Sequence, residues 1–139
     1  MTVVRDFESS NSVRTSCSAS GKVLLAHHSE RDAVLASYEK HGLTRLTSRS
    51  CGSVRELESE LAAVLQNGHS SECQEVMPNY GSVACPIRGK NGVVIAALSV
   101  TVPIAQAREG KLISVVRAAA NDISHRFVRQ FSGLVSRGA

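Results

Sequence analysis

The spacing of apolar and polar positions changes period several times along the chain. It is clearest from Gly92 to Pro103, Gly-Val-Val-Ile-Ala-Ala-Leu-Ser-Val-Thr-Val-Pro. A run rich in β-branched residues between a turn signal and a proline predicts a central strand. Alternation puts Val94, Ala96, Leu98, Val100 and Val102 on one wholly apolar face, and Val93, Ile95, Ala97, Ser99 and Thr101 on the other. A buried strand hydroxyl without a hydrogen-bond partner costs about 1–3 kcal/mol. Ser99 and Thr101, two residues apart, are therefore expected either to share a partner (ligand, water or side chain) or to be wetted at a strand end.

The same reading gives the rest of the chain. Thr2 to Phe7 and Val13 to Cys17 read as short strands about a turn at Asn11–Ser12. Helix formers begin at Lys22 and run to Ala26, with Ser20 as the expected N-cap. Ser29 to Lys40 is a second helix, capped by Ser29, closed by Gly42, with Val34, Leu35 and Tyr38 on one side. Residues 43–52 form a polar connection. Ser53-Val-Arg-Glu56 is a capping box opening a helix whose apolar positions are Val54, Leu57, Leu61, Val64 and Leu65, ended by Asn67–Gly68. His69 to Val76 reads as a strand, Pro78 to Gly81 as a loop, and Ser82 to Arg88 as a strand. Gly89 to Gly92 is a hairpin turn into the central strand. Pro86 requires that its missing N–H face away from a ladder partner or sit at a bulge. Lys111 to Phe131 is a long amphipathic helix with the stripe Leu112, Val116, Ala119, Ala120, Ile123 and Phe127. The order predicts an α+β fold: an antiparallel sheet with helices packed on it and a long C-terminal helix.

Composition narrows the function. A chain of 139 residues suits a single domain spanning 1–139. No apolar stretch is long enough to cross a bilayer and no signal-peptide core opens the sequence, so a cytoplasmic protein without membrane contact is expected. The net charge of +4 comes from scattered basic residues; with no Trp, two Tyr and three Phe, the chain lacks stacking platforms for nucleic acid. Cys17, Cys51, Cys73 and Cys85 form no C-x-x-C pair and are expected to be reduced thiols, Cys85 as a core residue beside Val83 and Ile87.

Strand alternation brings polar residues together. Ser70, Glu72 and Gln74 share a face of their strand, and Ser82 lies on the face of its own strand opposite Val83, Cys85 and Ile87. If the polar faces align, Glu72, Ser82, Ser99 and Thr101 converge on a compact site. A helix start at Ser20–Gly21 would add backbone N–H groups and partial positive charge suited to a carboxylate. A small organic acid is the expected ligand. Two rivals fail on distance: His69 and Cys73 as base and nucleophile, or His69, Cys73 and Glu75 as metal ligands, are separated by about 13 Å over four strand residues. Adjacent His27–His28 reads as a solvated pair. Neither catalysis, a metal nor a cofactor is expected; a cysteine enzyme and a ligand-free interaction module are the alternatives.

Gly21-Lys22-Val23-Leu24-Leu25-Ala26, Gly68-His69 leading to Glu72-Cys73-Gln74-Glu75, Pro78, Val83-Ala84-Cys85-Pro86-Ile87, and Val94 to Val100 follow one pattern. From about Thr2 to Phe131 the chain resembles the C-terminal effector-binding domain of the isocitrate-lyase-regulator (IclR) family of bacterial transcription factors. The resemblance implies a GAF-like fold that binds a small metabolite and regulates a winged helix-turn-helix domain, which would precede Met1. It implies ligand contacts from amides at Ser20 and Gly21, from Glu72 and Ser82, and from Ser99 and Thr101. It also implies a dimer or tetramer in the intact regulator, meeting DNA only through the other domain. The sequence departs from the pattern at Cys73 and Gln74, which dilute an acidic cluster, and at Ser82, where a cysteine is common.

Overall fold

The computed structural model describes residues 1–4, 15–107 and 110–135. The sheet has four antiparallel strands, β1 (Thr2–Val4), β2 (Ser70–Cys73), β3 (Tyr80–Arg88) and β4 (Val94–Pro103), in the order β1-β4-β3-β2. The helices are α1 (Ala19–Ala26), α2 (Arg31–His41), α3 (Val54–Asn67), a single turn α4 (Ile104–Ala107) and α5 (Lys111–Val135). The fold is α+β, as the alternation predicts.

β4 is interior to the sheet and both its faces are covered. Leu98 and Ala96 pack with Val83, Cys85 and Ile87 of β3 against Val116 and Ala120 of α5. On the reverse face, Ala97 and Ala84 join Ala19, Val23 and Leu25 of α1 and Leu57, Leu61 and Val64 of α3. The core is thus two apolar layers split by the sheet, each burying a stripe of roughly 3.6-residue period. Leu65 departs from its expected place: it is 48% exposed, while Leu57, Leu61 and Val64 of the same helix are buried.

The local signals are met with shifts. Asn91 and Gly92 adopt positive φ (62° and 75°) in the β3–β4 turn, where Asn and Gly tolerate it best. Pro86 has a strand on its β4 side alone, because β2 reaches along β3 only as far as Ala84. A bulge at Ile87/Arg88 breaks the ladder, and the Arg88 N–H donates instead to Ser124 Oγ of α5 at 2.9 Å. The serine hydroxyl in turn donates to the Ala120 carbonyl at 2.7 Å. That satisfied pair pins α5 to the end of β3.

Several expected boundaries move. The N-cap of α1 is Ser18, not Ser20: Ser18 Oγ accepts from the Gly21 N–H at 3.1 Å. Glu30 replaces Ser29 at the start of α2, without a side-chain cap, while Gly42 closes that helix as expected. The capping box of α3 is displaced by one residue: Ser53 Oγ accepts from Glu56 N–H, but the Glu56 carboxylate takes the Gly52 N–H. β2 stops at Cys73 rather than Val76, since Gln74 turns to φ 59°. Of the first two predicted strands, residues 5–14 lie outside the described residues; Thr15 to Cys17 form a helical turn rather than a strand.

Candidate functional site

The register of the sheet decides which polar residues meet. Glu72 stands opposite Ser82, and Ser82 opposite Thr101, so the three form one row across β2, β3 and β4. Ser70, Ala84 and Ser99 form the next row. Ala84 and Ala97, on this face, pack against Ala19 and Val23 of α1, so the polar rows lie on the α1 side of the sheet.

Within the row the hydroxyls satisfy each other. Ser82 Oγ and Thr101 Oγ1 are 2.9 Å apart. Ser82 is 8% exposed and Thr101 is exposed, so the pair sits at the lip of the layer. Thr101 thus finds its partner across the strand rather than sharing one with Ser99, which is half-buried between Ala84 and Thr2 in register. The Glu72 carboxylate, buried, accepts the Glu75 N–H at 2.9 Å.

The α1 contribution differs from expectation. Ser20 and Gly21 are buried in the first turn, but the Gly21 N–H is engaged by Ser18. Glycine is required at 21 by packing: a Cβ there would lie 2.6 Å from the Thr15 Cα and carbonyl oxygen. Its presence is explained without a ligand.

Beside the row lies a charge cluster that pattern reasoning missed. Lys22 is 1% exposed, and its ammonium donates to both oxygens of Glu75 at 2.9 and 2.7 Å. It also meets Glu60 Oε2 of α3 in an ionic contact without hydrogen-bond alignment. Burial opposes the charge on Lys22, but the contacts with Glu60 and Glu75 outweigh it and hold its pKa above the ordinary value. Burial pushes the Glu75 carboxyl up as well, and Lys22 offsets this only in part because Glu60 and Glu72 add negative charge nearby. One cation shared among several carboxylates accounts for both directions. The sequence signal was the adjacency of Lys22 to Gly21 and the place of Glu75 three residues after Glu72; the pairing spans 53 residues and no periodicity reports it.

Cys51, Glu56 and Glu60 place ligand atoms within 4.8 Å of one another, the spacing of a metal site. Lys22 already supplies positive charge at Glu60, and burial pushes the Cys51 thiol up to about 11, away from the thiolate a metal needs. The cluster is better read as the rim of the Lys22 network. A surface groove between α2 and α3, lined by Leu35, Ala36 and Val54, carries Asp32, Glu39 and Glu58, a charge that repels an organic anion. Cys73 is exposed, whereas Cys17, Cys51 and Cys85 are buried. Among the described residues no helix is long and apolar enough to cross a membrane.

Comparison with known proteins bears on this geometry. Residues 10–125 match the family described as bacterial transcriptional regulator IclR, C-terminal. The HTH-type transcriptional regulator KdgR of Dickeya chrysanthemi is 32% identical over 109 residues, covering 76% of this chain and 35% of that protein. The chain therefore spans about a third of the length of this relative. The solved C-terminal domain of the E. coli regulator KdgR is 30% identical, with a TM-score of 0.69 over 81% of this chain and 70% of that one. An IclR homolog from Microbacterium hydrocarbonoxydans, solved with 4-hydroxybenzoate, is 30% identical, with a TM-score of 0.70 over 80% of this chain and 45% of that one. The α+β fold, the matched residues and these relatives agree: the chain belongs to the C-terminal domain family of the bacterial IclR transcriptional regulators.

Proposed function

We propose that this domain senses a small organic acid on the row Glu72–Ser82–Thr101, with Ser99 beside it and the first turn of α1 at Ser20 and Gly21 above it. The observation that carries the reading is the Ser82–Thr101 hydroxyl pair on the α1 side of the sheet, with the buried Glu72 carboxylate in register. The two hydroxyls satisfy one another, and the Glu72 carboxylate accepts the Glu75 N–H. A bound carboxylate or hydroxyl would exchange the 2.9 Å hydroxyl contact for contacts to itself, and the positive end of α1 favours an anion. Because the Gly21 N–H is held by Ser18, the Ser20 N–H is the amide of the pair that such an anion would meet first. A relative of the same family holds 4-hydroxybenzoate, in keeping with a small aromatic or aliphatic acid.

In the intact regulator the domain would modulate DNA binding by a winged helix-turn-helix domain outside these residues, as a dimer or tetramer in the cytoplasm. The HTH-type relative, about two thirds of which lies outside the match, supports that organisation. We assign the domain no catalytic step. The test is a thermal-shift screen of small carboxylates, hydroxybenzoates included. A ligand at 100 times its Kd should stabilise by about 2.7 kcal/mol, and the gain should shrink in Ser82→Ala. A binder whose effect is untouched by Ser82→Ala, Thr101→Val and Glu72→Gln would move the site elsewhere; a screen without any binder would count against sensing of small acids.

A further inference from the structure

We infer that Lys22 and Glu75 are positioning residues for Glu72, an assignment that rests on the effector reading of the Glu72–Ser82–Thr101 row. The contacts run in sequence. Glu72 Oε2 accepts the Glu75 N–H at 2.9 Å, so the direction of that carboxylate is set by the backbone at residue 75. Further contacts hold that residue and its neighbour. Lys22 holds both carboxylate oxygens of Glu75. Ser50 Oγ donates to the Glu75 carbonyl at 2.6 Å, and Thr47 Oγ1 donates to the carbonyl of Gln74. Gln74 sits at φ 59°, a conformation a non-glycine residue keeps only when its surroundings enforce it.

Lys22 follows Gly21 in α1. One side chain therefore ties the two walls of the proposed site, the first turn of α1 and the Glu72 turn, into one frame. An apolar pair of similar volume would pack there at least as stably. What it lacks is direction: an ammonium bonded to both carboxylate oxygens fixes the position of the turn, and a pair of methyl groups does not. The second carboxylate, Glu60, is 34% exposed and comes from α3. It supplies charge to Lys22 without touching the turn.

This difference between the two carboxylates gives a matched test, because Lys22 keeps one anionic partner when the other is removed. In the 139-residue chain, Glu75→Ala should lower the hydrogen-exchange protection of the residue-75 amide at least about tenfold, with the amides of Leu98 and Val116 unchanged. Glu75→Gln, which retains an acceptor for Lys22, should recover most of that protection. Glu60→Gln should leave the residue-75 amide within about twofold of wild type while weakening the Lys22 network. Equal protection in Glu75→Ala, or equal loss in Glu60→Gln, would overturn the assignment. Backbone shifts at Ser82, Ser99 and Thr101 on titration with 4-hydroxybenzoate and the small-carboxylate screen test the effector reading separately. If they stay still, that reading fails while the exchange pattern still decides the positioning contact. If they move, Glu75→Ala should weaken binding severalfold and Glu60→Gln should not.

Discussion

The Ser82–Thr101 pair makes an unequal prediction for its two members. Ser82 is 8% exposed and Thr101 is exposed, yet each is the other's partner at 2.9 Å. Ser82→Ala removes the buried hydroxyl and leaves Thr101 free to turn to water, so it should cost only about 0.5–1 kcal/mol. Thr101→Val removes the exposed hydroxyl but strands the buried one, which carries its desolvation penalty of about 1–3 kcal/mol. The surface substitution should therefore be the more damaging. The double variant leaves no orphan and should be more stable than Thr101→Val alone. Urea denaturation resolves this: with m of about 1–3 kcal/mol/M, a difference of roughly 1.5 kcal/mol moves the midpoint by about 0.5–1.5 M. A Ser82→Ala chain as unstable as Thr101→Val, or a double variant less stable than both, would show that the hydroxyls do not depend on each other.

Other expectations follow from burial and charge. Leu98→Ala, at a fully buried position against Val116, should cost about 2–5 kcal/mol in the same assay, while its half-buried neighbour Ser99→Ala should barely move the midpoint. Lys22→Met leaves Glu60 and Glu75 uncompensated and should cost about 3–5 kcal/mol. Since the Lys22 pKa is raised above 10.5, its contribution is full below that pH and lost as pH rises through the folded value; wild type should thus lose alkaline stability that Lys22→Met does not. A thiol reagent at pH 8 should label exposed Cys73 rapidly and Cys17, Cys51 and Cys85 only on unfolding; fast labelling of Cys51 would contradict its burial and its elevated pKa of about 11.

Much of this site was legible because a strand's two-residue period fixes which residues share a face. The 89–92 turn makes β3 and β4 neighbours, but the bulge at Ile87/Arg88 shifts the register by one residue and sets Ser82 against Thr101 rather than Val100; Glu72 follows when β2 adds to the same sheet. The layered fold was legible for a similar reason: Leu98 and Ala97 face opposite ways, and each face needs a helix. What stayed hidden depends on contacts distant in sequence. The Lys22–Glu75 bond joins residues whose local patterns read as a helix start and a strand end. Ser18 and Ser20 are equally good caps by composition, and in the fold it is Ser18 Oγ that takes the Gly21 N–H. Leu65 obeys helical spacing but lies one position beyond the stripe of Leu57, Leu61 and Val64 that joins the α1 core.

The pairing of Thr2, Val3 and Val4 with Ser99, Leu98 and Ala97 carries a practical consequence for anyone trimming the chain. These few residues are a seal. Removing them would leave β4 with an open edge over the three positions they pair, including the backbone of the proposed sensing residue Ser99. An unpaired edge of that kind recruits other strands, so a truncated domain would invite self-association through β4. Affinity tags and cleavage sites placed ahead of Thr2 should spare that ladder.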